Sequence, residues 1–118
     1  MISKNELIEI AEELGLTVDC KGDMVWIYCK PESPIWNANA EPHLMFEATY
    51  KPFEEPNLKF FKLISQTRTG YYLTMDSPID KELPSEVIRN IAKKLIEEVK
   101  RLEYQHKLNE IKGDFDDR

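Results

Sequence analysis

The chain has 118 residues, of which 42% are hydrophobic and 32% charged, a composition typical of one globular domain. Its net charge of −6 and its isoelectric point near 5.0 disfavour a nucleic-acid binder that is basic over its whole surface. No apolar run is long enough to span a bilayer, and the N-terminus lacks the apolar core of a signal peptide. We therefore expect a small acidic cytoplasmic protein.

The N-terminal segment carries the signals of a helix from Lys4 to Leu14. Ser3 and Glu6 form a capping box, in which each side chain satisfies a free backbone donor of the other residue. Gly15 follows at the position where many helices end in a left-handed residue.

The next segment predicts a hairpin with strands at 16–20 and 24–29 around a turn at 21–23. The second strand is apolar on both faces, which is typical of a central strand or of one covered on both sides. Cys20 and Cys29 lie on opposite arms, too far apart for a disulfide, so we expect two reduced packing residues.

A loop of about 12 residues from Pro31 to Pro42 follows, near the length at which connections in compact domains tend to be functional. It contains Ile35 and Trp36, and tryptophan is frequent at binding hot spots. One interpretation is that both residues fold back and plug one end of the sheet. The other is that they contact a partner or ligand.

Three more strands are expected before the last helix. Alternation predicts a half-buried strand that begins at Leu44 and ends before Pro52. A single strand is expected over 58–66, and the turn at 67–70 leads to a strand over 71–75. A connector over 76–83 then precedes Pro84, which suits a first helical position.

This order of elements predicts an α+β fold. An N-terminal helix, an antiparallel meander of four to five strands and a long C-terminal helix would place both helices on one face of the sheet. Val25, Ile27, Phe46 and Phe60 are the expected sheet contribution to the core. Residues 1–112 form the predicted domain, and 113–118 form an acidic tail that we expect to be disordered.

The last helix, predicted from Pro84 to Ile111, changes its apolar face partway along. One stripe follows the helical period and consists of Ile88, Ala92, Leu95, Val99 and Leu102. A second stripe, Tyr104, Leu108 and Ile111, lies about 165° around the helix. The first stripe is expected to pack in the core. The second predicts either a partner interface or a helix that bends or frays near 102–105.

The helix is also long for its domain. A helix of about 28 residues measures about 42 Å, whereas a globule of this size is about 35 Å across. Its end is therefore expected to project beyond the body.

A basic strip lies on the side of this helix away from its first stripe, at Lys93, Lys94, Lys100 and Arg101. Such a strip can contact phosphates. Glu97 and Glu98 are interspersed with it, which favours a solvated face of mixed charge.

No pattern in the sequence predicts catalysis. His43 and His106 belong to no ligand pair, the cysteines lack metal-site spacing, and no glycine-rich phosphate loop or nucleophile motif occurs, so we expect no catalytic residues, metal or cofactor. Acids such as Asp19, Glu47 or Asp76 could act in a cleft, but a solvated role is favoured.

The sequence therefore favours a non-enzymatic, protein-binding protein of the adaptor or chaperone-like type. Its expected contacts are Ile35 and Trp36 and the second stripe, through which it would form a homo-oligomer, for example a homodimer. One alternative is an acidic inhibitor, such as phage accessory proteins that block a nucleic-acid-processing target. Another is a nucleic-acid binder that uses the basic strip.

Overall fold

The computed structural model describes residues 2–38, 41–75 and 83–116, with side chains as far as residue 110. Within these residues it contains two helices and six strands. In chain order these are α1 (Lys4–Glu13), β1 (Thr17–Lys21), β2 (Met24–Tyr28), β3 (Leu44–Thr49), β4 (Asn57–Phe60), β5 (Leu63–Thr67), β6 (Gly70–Thr74) and α2 (Ser85–Asp116).

Helix α1 begins and ends at the residues that the sequence indicates. The Ser3 hydroxyl accepts a hydrogen bond from the Glu6 amide at 3.2 Å. At the other end Gly15 has a φ of 72°, and the Leu16 amide donates to the Ala11 carbonyl at 2.8 Å. Together with the hydrogen bond from the Gly15 amide to the Glu12 carbonyl at 3.2 Å, this bond forms the Schellman ending that glycine permits.

Strands β1 to β4 form an antiparallel meander in the order β1-β2-β3-β4, which confirms the predicted sheet and the central position of β2. In its register Cys20 lies opposite Val25, and Phe46 lies between Ile27 and Phe60. Both cysteines are free. Cys29 is buried, but Cys20 is exposed, so its predicted packing role is wrong.

The single strand predicted over 58–66 is wrong, because the chain leaves the sheet after Phe61. Strand β4 ends at Phe60, and β5 begins at Leu63 in a separate two-stranded sheet with β6. The apolar pairs at 60–61 and 63–64 lie on both faces of an extended chain. A side-chain pattern of that kind does not mark where the backbone turns away.

The core lies between one face of the four-stranded sheet and both helices, as predicted. Val25, Ile27, Phe46 and Phe60 are buried on that face. The first stripe of α2 is buried as well and completes the same cluster: Ile88, Ala92, Leu95, Val99 and Leu102. A hydrogen bond of 2.9 Å from Arg89 to Glu13 joins the two helices at their surface.

Helix α2 begins at Ser85, one residue after the predicted start, and continues to Asp116. It therefore passes through Gly113, where the acidic tail was expected to begin. Disorder of residues 113–118 stays a prediction.

Candidate functional site

The distal half of α2, defined here as Glu103–Asp116, extends past the body of the protein. The molecule measures 64 × 25 × 24 Å, and a helix of 32 residues accounts for about 48 Å of its length. Side chains 107–110 are all exposed, so no described element covers them. The projection inferred from helix length is confirmed.

The apolar side of the helix changes at the boundary between its halves. Beyond Leu102, the inward positions are polar and carry Gln105, His106 and Asn109. On the opposite side, Tyr104 is 64% exposed and Leu108 41% exposed. The helix is continuous across 102–105, so it does not end or unwind there. The side chain of Ile111 lies outside the described residues.

Charged groups surround the first exposed residue of the distal half. A shallow depression at Tyr104 is lined by Lys30, Lys100, Glu103 and Lys107. The Lys30 ammonium is 2.5 Å from the Glu103 carboxylate. This ion pair connects the start of the distal half to the loop that follows β2.

The basic strip is exposed and partly neutralised by acids on the same helix. The Arg101 guanidinium pairs with the Glu98 carboxylate. Because of the hydrogen bond from Arg101, the pKa of Glu98 is lowered. Lys93, Lys94 and Lys100 have no ion pair among the described residues. The strip is thus a surface of mixed charge.

The long loop folds back against the β5–β6 hairpin. The Tyr71 amide donates to the Ile35 carbonyl at 2.9 Å, and the Asn37 amide donates to the Tyr71 carbonyl at 3.0 Å. The Trp36 indole donates to the Lys30 carbonyl at 2.8 Å. Gly70 lies so close to this loop that a Cβ there would be 2.6 Å from the Ile35 oxygen.

Through these contacts Ile35 and Trp36 fold back onto the body, as in the first of the two interpretations of this loop. Ile35 is 2% exposed and belongs to the core, and Trp36 packs against it while half-buried. A partner contact at these two residues stays a prediction. It would require Ile35 to leave the core.

A polar cleft of about 270 Å³ lies between the hairpin tip and the inward side of distal α2. Hydrogen-bonding side chains dominate its wall, and Arg68 and His106 are its charged or chargeable groups. The lining residues are Pro34, Ile35, Gln66, Thr67, Arg68, Thr69, Gly70, Tyr71, Leu102, Gln105, His106 and Asn109. None is an acid or a cysteine, so this wall provides no paired carboxylates or thiolate nucleophile.

Residues with potential chemistry lie apart from one another. The His43 ring lies close to the rings of Tyr28 and Trp36 in tilted arrangements, and burial lowers the pKa of His43. Asp19 is exposed on β1 and Glu47 half-buried on β3, whereas Asp76 lies outside the described residues. Within the described part of the chain, no group of three or more His, Cys, Asp or Glu side chains is placed to hold a metal ion.

The outer face of the four-stranded sheet is turned away from both helices. The sequence did not predict it as an exposed apolar surface. Four residues there form what we term the outer-face patch: Met24, Trp26, Tyr28 and Leu44. All four are partly exposed, and none belongs to the core cluster. The available signal was the apolar character of β2 on both faces. Only one of those faces is covered by the helices.

Comparisons with known protein families, with curated proteins and with solved structures found no match. Among the described residues, neither helix combines the length and the apolarity needed to cross a bilayer.

Proposed function

We propose that this protein is a non-enzymatic protein-binding protein that self-associates through the exposed stripe of distal α2. The observation that carries the proposal is the exposure of Tyr104 and Leu108 on a helix that projects beyond its own body. Apolar residues at helical spacing on an uncovered helix face are typical of a helix that packs on another helix.

The sequence of the stripe favours a helical partner. Tyr104, Leu108, Ile111 and Phe115 follow one another at intervals of four, three and four residues. This is the heptad spacing of a coiled-coil seam, in which two helices bury the same side chains against each other. Upstream the seam positions are Arg101 and Glu97, so the apolar part is short and begins at Tyr104, near Lys30.

Charge along the helix favours a second copy in antiparallel orientation. The basic strip lies at and before the start of the apolar seam, whereas Asp114, Asp116 and Asp117 lie around its last residue, Phe115. In an antiparallel pair that matches Tyr104 of one copy with Phe115 of the other, Lys100 and Arg101 of one copy would lie near Asp117 of the other. Such self-complementarity fits a two-fold symmetric dimer.

The expected strength is modest. Burial of Tyr104, Leu108 and Ile111 contributes about 5 kcal/mol per copy before the costs of association are subtracted. Two such contributions, less an association cost of about 4 kcal/mol or more, give a dissociation constant on the order of tens of micromolar or weaker. Its formation should therefore depend on protein concentration.

Light scattering after size exclusion, with two matched variants, tests the proposal. Leu108→Glu puts a charge into the seam, and Val87→Glu makes the same kind of change at a residue 37% exposed at the other end of α2. We expect Leu108→Glu to lower the mass to 13.9 kDa and Val87→Glu to match the parent. Neither should shift Tm by more than about 3 °C, because both sites are exposed. A monomeric parent protein would refute self-association.

Lys93, Lys94 and Lys100, which form no ion pair with another described residue, support nucleic-acid binding as a second candidate function. It predicts that affinity for single-stranded DNA falls steeply with salt and is lost in a Lys93→Gln/Lys94→Gln variant. Weak binding with no such dependence would eliminate it. The inhibitor alternative has less support, since the described acids are spread over both helices and the sheet.

A further inference from the structure

The outer-face patch combines aromatic and aliphatic groups on a sheet face that is open to solvent. Trp26 and Tyr28 alternate with buried Val25 and Ile27 along β2, so their side chains point away from the core. An antiparallel sheet with helices on one face ordinarily presents polar residues on the other. Here the central strand presents its largest side chains to that side.

Carboxylates flank the aromatic rings of the patch. In the strand register, Asp19 and Glu47 lie directly beside Trp26 on the two neighbouring strands. Cross-strand neighbours of this kind have their Cβ atoms about 5 Å apart. On the far side, the Tyr28 hydroxyl donates to the Glu41 carboxylate at 2.9 Å. None of the three acids forms an ion pair with another described residue.

The same carboxylates also affect the ionisation of the Tyr28 hydroxyl. Burial, the hydrogen bond to Glu41 and the nearby charges of Glu41, Asp19 and Glu47 raise the pKa of Tyr28 to about 12. All three carboxylates therefore act on one ring. Two basic residues share this face, with Lys21 opposite Met24 and Lys59 opposite Glu47, and neither forms an ion pair with the three acids.

We propose that the outer-face patch is a docking site for a segment of another protein that is rich in arginine or lysine. The face of Trp26 attracts a cation, and Asp19 and Glu47 supply carboxylates on either side of it. The aliphatic stems of long basic side chains pack on Met24 and Leu44. This site is separate from the stripe of α2, so docking and self-association occur on different surfaces.

An eight-residue peptide of alternating arginine and glycine is a suitable probe for the isotope-labelled full-length protein. The indole resonances of Trp26 and Trp36 report on the patch and on the loop respectively, and Trp26→Phe assigns them. We expect the peptide to shift the Trp26 indole and to leave that of Trp36 in place. Asp19→Asn combined with Glu47→Gln should weaken binding about tenfold, because both flanking charges are removed.

Two controls separate this site from general charge and from self-association. Glu9→Gln combined with Glu12→Gln makes the same change of net charge on the exposed side of α1 and should alter affinity less than twofold. Leu108→Glu should leave peptide binding unchanged. An unshifted Trp26 indole at about 1 mM peptide, or equal weakening by the two double variants, would overturn the proposal.

Discussion

The two halves of α2 differ in the side of the helix that is apolar. From Ser85 to Leu102 the residues of the first stripe face the sheet and are buried. From Glu103 onward the inward side is polar, and Tyr104 and Leu108 face solvent. The comparison teaches that one continuous helix can change its apolar side without a break in its helical structure. Packing on the body determines which side of the first half is apolar. In the second half, the apolar side is determined by contacts outside the body.

The same substitution in each half gives the largest expected contrast. Leu95→Ala removes a buried side chain and should lower the free energy of unfolding by about 3 kcal/mol. Leu108→Ala removes an exposed one and should lower it by less than about 1 kcal/mol. Urea unfolding at low protein concentration measures both, with m values expected to be equal. Equal losses at the two sites would show that distal α2 packs on the body after all.

A substitution of Gly70, at the tip of the β5–β6 hairpin, tests the close contact between this hairpin and the long loop. Gly70→Ala would place a Cβ 2.6 Å from the Ile35 oxygen at a φ of 148°. It should cost about 2 kcal/mol. Gly22→Ala, also at positive φ but with open space around it, should cost about 1 kcal/mol. Thermal unfolding distinguishes the two, and a larger loss for Gly22→Ala would contradict the close approach of loop and hairpin.

Alkaline pH is expected to destabilise the body. Burial raises the pKa of the Cys29 thiol to about 12 and contributes most to the similar rise for Tyr50. The unfolded chain ionises first, so this stability is fully present below pH 9 and is lost as pH rises towards 12. Each group lowers the free energy of unfolding by at most about 1.4 kcal/mol per pH unit in that window. Denaturant titrations from pH 8 to 11 should show a shallower decline in Cys29→Ala, and an equal decline would contradict the assignment.

The smallest expected effect is a gain in stability at the turn between β3 and β4. Phe53 is fully exposed and has a φ of 64°, a backbone region that asparagine adopts more readily than phenylalanine. Phe53→Asn should raise the free energy of unfolding by about 0.5 kcal/mol and leave self-association unchanged. A measurable loss would mean that Phe53 makes contacts in solution that stabilise the folded chain.

Sequence reasoning succeeded where one local pattern determines the structure. The capping residues Ser3 and Gly15 define α1, and the helical period of α2 identifies its buried stripe and the exposed residues Tyr104 and Leu108. These features depend on spacing within one element. They need no knowledge of how distant segments meet.

It failed where distant segments meet. The chain leaves the sheet between Phe60 and Leu63 within an apolar run that marks no break. The loop pairs with β6 through backbone atoms, which have no side-chain signature apart from Gly70. The apolar outer face of β2 was visible in the sequence, but only the fold reveals that the helices leave it open.

Sedimentation equilibrium of the full-length chain over a range of concentrations tests the central claim most directly. If the distal half of α2 is an interface between copies, the mean mass should rise from 13.9 kDa towards twice that value. The rise should be abolished by Leu108→Glu and retained in Val87→Glu. A constant mass of 13.9 kDa at every concentration, or a dimer that persists in Leu108→Glu, would contradict it.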